Sequence, residues 1–448
     1  MKQFFTLSVV CLFAMSSQAQ EKVDKWDLRK CVDYAMKNNI SVKQADVQAR
    51  IAALQFQQAK DYQIPSASFS TGYGPQFGRS IDPTTNQYTT VPLMQQSYSL
   101  NGQVQIYNWG RLKNNREANN FSAQAALKDI ERAANDVAIN VATYYLQVLA
   151  SKEQITVSEV QIAQRKAQLE ITRKQVAAGS LPELNYIQIE AQLATDSSNY
   201  ISNKSAFEQN VLFLKALLNL DAALPFEVET PSVDKIPVET FGELQPEVVY
   251  KLALGNQPLQ LENELKIKAA ERNVAANRAT MYPSFGGNYS LGTTYNNKAI
   301  DYATGKKSPY FTQLDDNFRQ SLGIGLSVPI FNNGQYRINF EQSKLNLKNT
   351  VLQKDQANQT LKQNIYTSYT NAVNAFEKLN ASKKNVESAQ KVYDFSFKRY
   401  EVGLLSTLEL ITNQNNLLTA KLQLVASEFD YVFKMKLLEF YKGQGLKL

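Results

Sequence analysis

Residues Pro329-Ile330-Phe331-Asn332-Asn333-Gly334 end an apolar run on two turn-formers and a glycine, and the 68 positions after them, 335 to 402, contain neither Gly nor Pro. The stretch occurs twice. Its earlier copy is Gln105-Ile106-Tyr107-Asn108-Trp109-Gly110, followed by 68 positions, 111 to 178, again free of both residues. Each copy predicts a strand that hands over to a helix of roughly 100 Å at ~1.5 Å per residue, longer than any single globular core requires.

The two halves align around these junctions. An offset of 218 pairs Ala35 with Ala253, Asn38 with Asn256, Pro65 with Pro283 and Gly74 with Gly292; beyond the first loop an offset of 224 pairs Asn108 with Asn332, Gly110 with Gly334, Gly179 with Gly403 and Leu184 with Leu408. One six-residue insertion in the second loop accounts for the change, so the chain is a tandem duplication. Residues 20–220 form the first repeat, 221–246 a connector with Pro225, Pro231, Pro237 and Pro246, and 247–448 the second repeat. Each repeat predicts helix first (about 26 to 64 and 246 to 282), broken near Asn38-Asn39 and Gly255-Asn256, with Pro258 opening a new helix. Pro65 and Pro283 end that helix. Two strands flank a polar loop, and a long helix follows, turns at Gly179 or Gly403, and folds back over 183–224 or 404–442. The connector, which carries Glu227, Glu229 and Asp234, is expected to run extended along the outside of the helical body.

Strand alternation sets the environment. Tyr98, Leu100, Val104 and Ile106 share one face opposite Ser97, Ser99, Asn101, Gln103 and Gln105, while Leu322, Ile324, Leu326, Val328 and Ile330 oppose Ser321, Gly323, Gly325 and Ser327. Strands of about ten residues with one small, polar face match a membrane barrel wall; the alternative is an ordinary half-buried sheet. Four strands close no barrel, and open edges are not tolerated in lipid, so several chains must contribute. Eight strands would fill their interior with side chains, which makes three chains and twelve strands the geometry for a conduit. The loops at 75–96 and 296–320, with Arg79, Asp82, Asn86, Asp301, Lys306, Lys307 and Asp315, are then exterior. The long helices are rich in Asn, Gln, Ser and Thr, and their apolar positions keep no strict heptad, which suits a wet helical tube better than an isolated coiled-coil stalk. Val137, Val141, Tyr144, Tyr145 and Val148 form one packing stripe.

Composition removes other classes. Lys2, the apolar run Phe4 to Met15 and Ser17-Gln18-Ala19 have the pattern of a signal peptide over 1–19. Cys11 lies inside the apolar run, which argues against acylation. Cys31 alone follows the signal, so no intrachain disulfide forms. The chain has no histidine, the commonest general base and metal ligand. No nucleophile-and-base set appears, and an exported enzyme is disfavoured. The 48 Lys and Arg against 41 Asp and Glu leave +7, mild for this length, with no basic block interleaved with aromatics to bind nucleic acid. No run of about 18 apolar residues follows the signal.

The duplicated helix, strand pair and hairpin, the Tyr282-Pro283 break, the 329–334 junction and Arg399-Tyr400-Glu401-Val402-Gly403-Leu404-Leu405-Ser406-Thr407-Leu408-Glu409-Leu410 together resemble the TolC family of outer-membrane efflux proteins. The first copy departs, with Gln105 in place of Pro329 and Ala177-Ala178-Gly179-Ser180-Leu181-Pro182 at its turn. The resemblance implies a fold of helices plus membrane β-strands, a homotrimer with a 12-strand β-barrel in outer-membrane lipid, and a 12-helix periplasmic tunnel closed at its tip. It also implies a periplasmic adaptor (membrane fusion) protein and an inner-membrane transporter as partners, and no cofactor. The expected function is the exit duct of an efflux or export system; the alternatives are the duct of a type I protein secretion system and a non-channel coiled-coil adaptor.

By the same resemblance the acidic ring at the constriction falls on Glu409, with Thr412 and Asn413 one turn inward, and three copies of Glu409 about one axis would attract cations. Thr412 stands where many family members carry a second acid. Tyr400 matches a tyrosine that holds the tip closed. Its basic partner position is Leu405 here, and Arg399 or Lys398 is the candidate substitute. Gly179 and Gly403 suit the left-handed conformation that ends a helix, and Leu181, Leu184, Leu405 and Leu408 around them are the adaptor-docking candidates, unless they only pack the turns. Trp109 suits a membrane interface, which would make the strand-to-helix junctions the periplasmic rim.

Overall fold

The structure, a computed structural model, describes residues 25–81, 86–90, 92–229, 236–301 and 303–443. The expected signal segment, Asp82, Pro231 and Asp234 lie outside the described residues. The chain divides into two compact units, one from Met1–Ala45, Ile130–Pro258 and Asn358–Leu448, the other from Asp46–Asp129 and Leu259–Ala357.

The helices belong chiefly to the first unit, though residues 46–61, 111–129, 259–279 and 335–357 of them belong to the second. Helix α1 (Leu28–Asn38) starts at Asp27, whose carboxylate accepts from Lys30 N at 2.6 Å, and ends at Asn39. Asn39 then caps α2 (Ile40–Asp61) by accepting from Ser41 N at 2.8 Å, so the break falls where the Asn pair predicts it. In the second copy α5 (Pro246–Asn256) and α6 (Pro258–Ala279) are separated at Gln257. The long hairpins are α3 (Arg111–Ala177) with α4 (Glu183–Leu218), and α8 (Gln335–Glu401) with α9 (Thr407–Lys442). Helix α4 stops earlier than expected because Asn219 takes a left-handed φ of 56°.

The duplication recurs in the packing. Cys31, Ala35, Val141, Val148 and Leu214 are buried in one core, and Val249, Ala253, Ile365, Ala372 and Leu438, their equivalents in the second copy, are buried in another. The connector is not simply extended: β6 (Glu227–Val228) pairs in parallel with β1 (Lys25–Trp26), Phe226 packs on Trp26 at 5.5 Å, and Leu244 is fully buried. Apolar side chains between its prolines drive that docking.

A heptad is present after all, with Ser and Ala set among larger apolar residues. Along α8 the positions Leu361, Ile365, Ser368, Ala372, Ala375, Leu379, Ser382, Val386, Ala389, Tyr393, Ser396 and Tyr400 alternate in steps of four and three and are buried or half-buried. The same seam runs through α3 from Val137 to Val176 with Ser151, Ser158, Arg165 and Thr172 on it. Counting large apolar residues alone misses it, because Ser and Ala hold half of its positions on α8.

The second unit holds an antiparallel sheet in the order β2 (Ser66–Gln76), β5 (Leu93–Tyr107), β7 (Ser284–Asn296), β8 (Arg319–Ser327). The inner strands of the two copies pair at its centre, Tyr98 opposite Thr293, and leave β2 and β8 as edges. Two expectations are corrected. Strand β8 ends at Ser327, so Val328 and Ile330 lie beyond it; Pro329 supplies no N–H for a ladder. The loops are shorter and carry elements of their own: β3 (Ser80–Ile81) pairs with β4 (Tyr88–Thr89) in the first, and a helix, α7 (Tyr310–Asp316), lies in the second.

Candidate functional site: a two-faced wall and two helical turns

The sheet presents two chemically opposite faces. On one, Ser70 and Ser99 share a hydroxyl hydrogen bond at 2.7 Å, Ser290 donates to Asn101 Oδ1 at 2.7 Å, and Asn101 donates to Ser99 Oγ at 3.3 Å. Gly72, Gly286, Gly323 and Gly325 lie among these residues and keep that face low. Below it the polar side chains of Gln58, Asp61, Ser66, Gln103 and Arg111 help line a concavity of about 880 Å³. On the other face Phe69, Leu322, Ile324 and Leu326 stand exposed, Leu322 by 88% and Ile324 by 78%. Contiguous exposed side chains of this size mark a surface built for an apolar partner. The Tyr289 ring fills the space over Gly102, where a Cβ would collide with it.

Aromatic residues gather at both ends of the apolar face. At the helix-side end a bulge between Gln105 and Tyr107 turns Tyr107 toward Trp109, 5.4 Å away, and Trp109 lies 5.3 Å from Tyr282. In the middle of the sheet Phe69, opposite Leu100, stacks near Tyr98 at 6.4 Å, and at the loop end Tyr295 packs on Tyr310 at 4.7 Å. Both strand-to-helix junctions use the same turn: Trp109 and Gly110 have φ of 52° and 77°, and Asn333 and Gly334 have 55° and 73°.

In the helical unit the two hairpin turns repeat one hydrogen-bond pattern. Gly179 N donates to Val176 O and Ser180 N to Gln175 O, both at 2.9 Å, while Gly403 N donates to Tyr400 O at 3.0 Å and Leu404 N to Arg399 O at 2.8 Å. These are Schellman closures, and the glycines take φ of 71° and 74°. Ser406 caps α9, accepting from Glu409 N at 3.2 Å.

The singled-out residues separate by burial. Glu409 is exposed in the first turn of α9, where a carboxylate complements the helix dipole. Thr412 is exposed but donates to Leu408 O at 2.9 Å, and Asn413 is half-buried, donating to Ser396 Oγ at 2.8 Å. Tyr400 is buried, with its hydroxyl 3.0 Å from Thr172 Oγ1 and 3.5 Å from Thr407 Oγ1, so it joins α8 to α3 and α9. Arg399 is exposed and donates to Leu404 O at 3.2 Å, within its own turn. Leu184 and Leu408 are exposed by 60% and 64%, whereas Leu405 is buried against Tyr400 and Leu410 with Leu181 beside them.

Sequence reasoning missed the charged group in the first hairpin. Arg165 is fully buried and donates to Asp196 Oδ2 at 3.0 Å, to Gln168 Oε1 at 3.3 Å and to Asn415 Oδ1 on α9 at 3.2 Å; Gln192 also donates to Asp196. The pair is one rung of a ladder between α3 and α4: Asn210 donates to Ser151 Oγ at 3.3 Å and Asn203 to Ser158 Oγ at 2.9 Å, seven residues apart on both helices. In the second hairpin Ser382 bonds Ser427 and Asn413 bonds Ser396, and the rung equivalent to Arg165 and Asp196 is Ala389 and Ala420. The seven-residue spacing of Ser151, Ser158, Arg165 and Thr172 was the available signal.

Among the described residues no helix is long and apolar enough to cross a membrane, and no cluster of acidic or Cys side chains could hold a metal ion. Comparison with known proteins agrees with the two-faced wall. The family model described as outer membrane efflux protein matches residues 31–220 and 249–433. The outer membrane efflux protein BepC of Brucella suis is 22% identical over 399 residues, 89% of this chain and 81% of that one. The outer membrane channel CmeC of Campylobacter jejuni superposes with a TM-score of 0.79 at 18% identity, over 94% of this chain and 86% of that one. The outer membrane protein VceC of Vibrio cholerae gives 0.78 at 16% identity, over 94% and 97%. With this wall and matches over most of its length, the chain belongs to the outer membrane efflux protein family; it is a channel of the outer membrane and not an enzyme.

Proposed function

We propose that three copies of this chain form one exit duct, a 12-strand barrel through the outer membrane continued by a 12-helix tunnel in the periplasm. The observation that carries this is the open sheet. Strands β2 and β8 are unpaired edges beside an exposed apolar face, and lipid tolerates neither an open edge nor a buried polar wall. Pairing β8 of one copy with β2 of the next closes the sheet, turns Leu322, Ile324 and Phe69 to lipid, and lines the lumen with Ser, Asn and Gly. From Tyr98 to Tyr107 β5 advances roughly 30 Å at ~3.3 Å per residue, which at a tilt of about 40° spans ~23 Å, close to the ~25 Å apolar band of such barrels.

The repeats 20–220 and 247–448 then contribute equally to wall and tunnel, with 221–246 joining them after removal of 1–19. Leu184 and Leu408, exposed beside the glycine turns, are the surface offered to a periplasmic adaptor, with Gly179 and Gly403 shaping the turns and Leu181 and Leu405 supporting them from within; an inner-membrane transporter completes the system. Tyr400 holds the two hairpins of a protomer together, and Arg399 braces its turn. Glu409 is the constriction acid, with Thr412 and Asn413 a turn inward. Purified protein in a planar bilayer should give cation-selective conductance, and Glu409→Gln should lower the cation-to-anion permeability ratio. Absence of any conductance removes the duct; an unchanged ratio removes the acidic ring alone.

A further inference from the structure

Helix α7 lies flat on the apolar face of the sheet, at the end remote from the long helices. Thr293 Oγ1 donates to Leu314 O at 2.7 Å, Asn317 Nδ2 to Thr294 O at 2.7 Å, and Asn296 N to Gln313 Oε1 at 2.9 Å. The Tyr310 hydroxyl meets that of Tyr98 at 2.8 Å and Gln96 Oε1 at 3.2 Å. Thr293 and Tyr98 are cross-strand partners on the same face as Phe69 and Leu322, which places α7 on that side. Gln313 is buried in this network and donates to Ser308 O at 2.9 Å.

An element bonded in this way to the sheet nonetheless leaves Phe311 exposed by 81%, and Phe318, two residues past its end, is exposed by 53%. Strand β8 carries no aromatic residue of its own. Helix α7 therefore supplies, on the β7 and β8 side, an aromatic ring of the kind that Tyr73 provides from the loop end of β2. Aromatic side chains at the rim of an apolar band reside in the headgroup layer, where one part of the ring is apolar and the surroundings are half wet.

We propose that α7 is a membrane-surface bracket that seats Phe311 in the headgroup layer of the outer leaflet, so that the occupant of this patch is lipid. The inference rests on the barrel reading above and on the continuity of α7 with the apolar wall. The test uses single added cysteines carrying a nitroxide in the reconstituted exported protein, from which 1–19 and with it Cys11 have been removed, comparing accessibility to oxygen, which concentrates in lipid, and to a water-soluble nickel chelate. Cys31 is fully buried and burial pushes its thiol up to about 12, so it stays unlabelled in the folded protein. Ile324→Cys reports the centre of the wall and Lys306→Cys, in the loop, reports water.

The expected oxygen-to-nickel ratio at Phe311→Cys is several-fold above that at Lys306→Cys and below that at Ile324→Cys. A ratio at Phe311→Cys equal to that at Lys306→Cys, with Ile324→Cys in lipid, overturns the bracket and leaves the barrel standing. A water-like ratio at Ile324→Cys overturns both. Spin–spin broadening at Phe311→Cys would place α7 against a second copy and also overturns a lipid occupant.

Discussion

Arg165 and Asp196 show what one pair of residues contributes beyond the fold they sit in. The second hairpin is built on the same rung with Ala389 and Ala420 and carries no charge there, so a charge pair is not required to make the hairpin. What it adds is the reach of Arg165 to Asn415 on α9. Arg165→Ala should cost about 3–5 kcal/mol, because it leaves a carboxylate buried without its partner, whereas Arg165→Ala with Asp196→Ala should recover most of that loss. Denaturant midpoints of the three proteins test this, and a double variant no better than the single one would refute it. Cys31 offers a pH signature of the core. Burial, with Asp27 second, raises its thiol from 9.0 to about 12, so the folded state holds a proton that the unfolded chain releases. Its contribution is fully present below about pH 9 and declines above it by ~1.4 kcal/mol per pH unit until the folded value is reached. Cys31→Val, which copies Val249 of the second repeat, should flatten that alkaline loss relative to wild type in unfolding measured from pH 8 to 11.

At the scale of elements, both helical turns and both strand-to-helix junctions depend on left-handed backbone. At Gly403 a Cβ would meet nothing within 4 Å, so Gly403→Ala is a purely conformational change of about 1–2 kcal/mol. Amide exchange over 399–407 should accelerate accordingly, and Gly403→Asn should accelerate it less. Trp109 takes the conformation that Asn333 takes more readily in the other copy. Its edge-on contact with Tyr107 and tilted contact with Tyr282 offset that strain, at ~0.5–1.5 kcal/mol for each aromatic pair. The polar ladders of the hairpins set helix register without a continuous apolar seam, so each helix can keep another face wet.

For the whole molecule, the unsatisfied feature is the pair of sheet edges. If β8 of one copy joins β2 of the next, cysteines introduced at Leu322 and at facing positions along β2 should form an intermolecular disulfide at one register and give a covalent trimer. Denaturing gels run with and without reductant read this. Monomer at every register would remove the shared barrel, and a ladder of open oligomers would remove its closure.

Much of this was legible in the sequence, and the reason is periodicity. Two-residue alternation, long stretches without Gly or Pro, and a duplication with fixed offsets are local records of strand, helix and repeat, and they locate the sheet, the hairpins, the glycine turns, the break at Asn39 and, from Gly255-Asn256, the one that falls at Gln257. The end of β8, the pairing of β6 with β1, and helix α7 on the wall were decided only in three dimensions. Each depends on partners far along the chain: a proline with no ladder N–H to give, a connector finding Trp26, a loop finding Thr293 and Tyr98. The same holds for Arg165, whose burial follows from where α4 and α9 lie rather than from its neighbours in sequence. Sequence alone determined that this chain has a lipid-compatible face and a polar one; tertiary structure decided which side chains remain uncovered on each, because exposure is a property of packing and not of period.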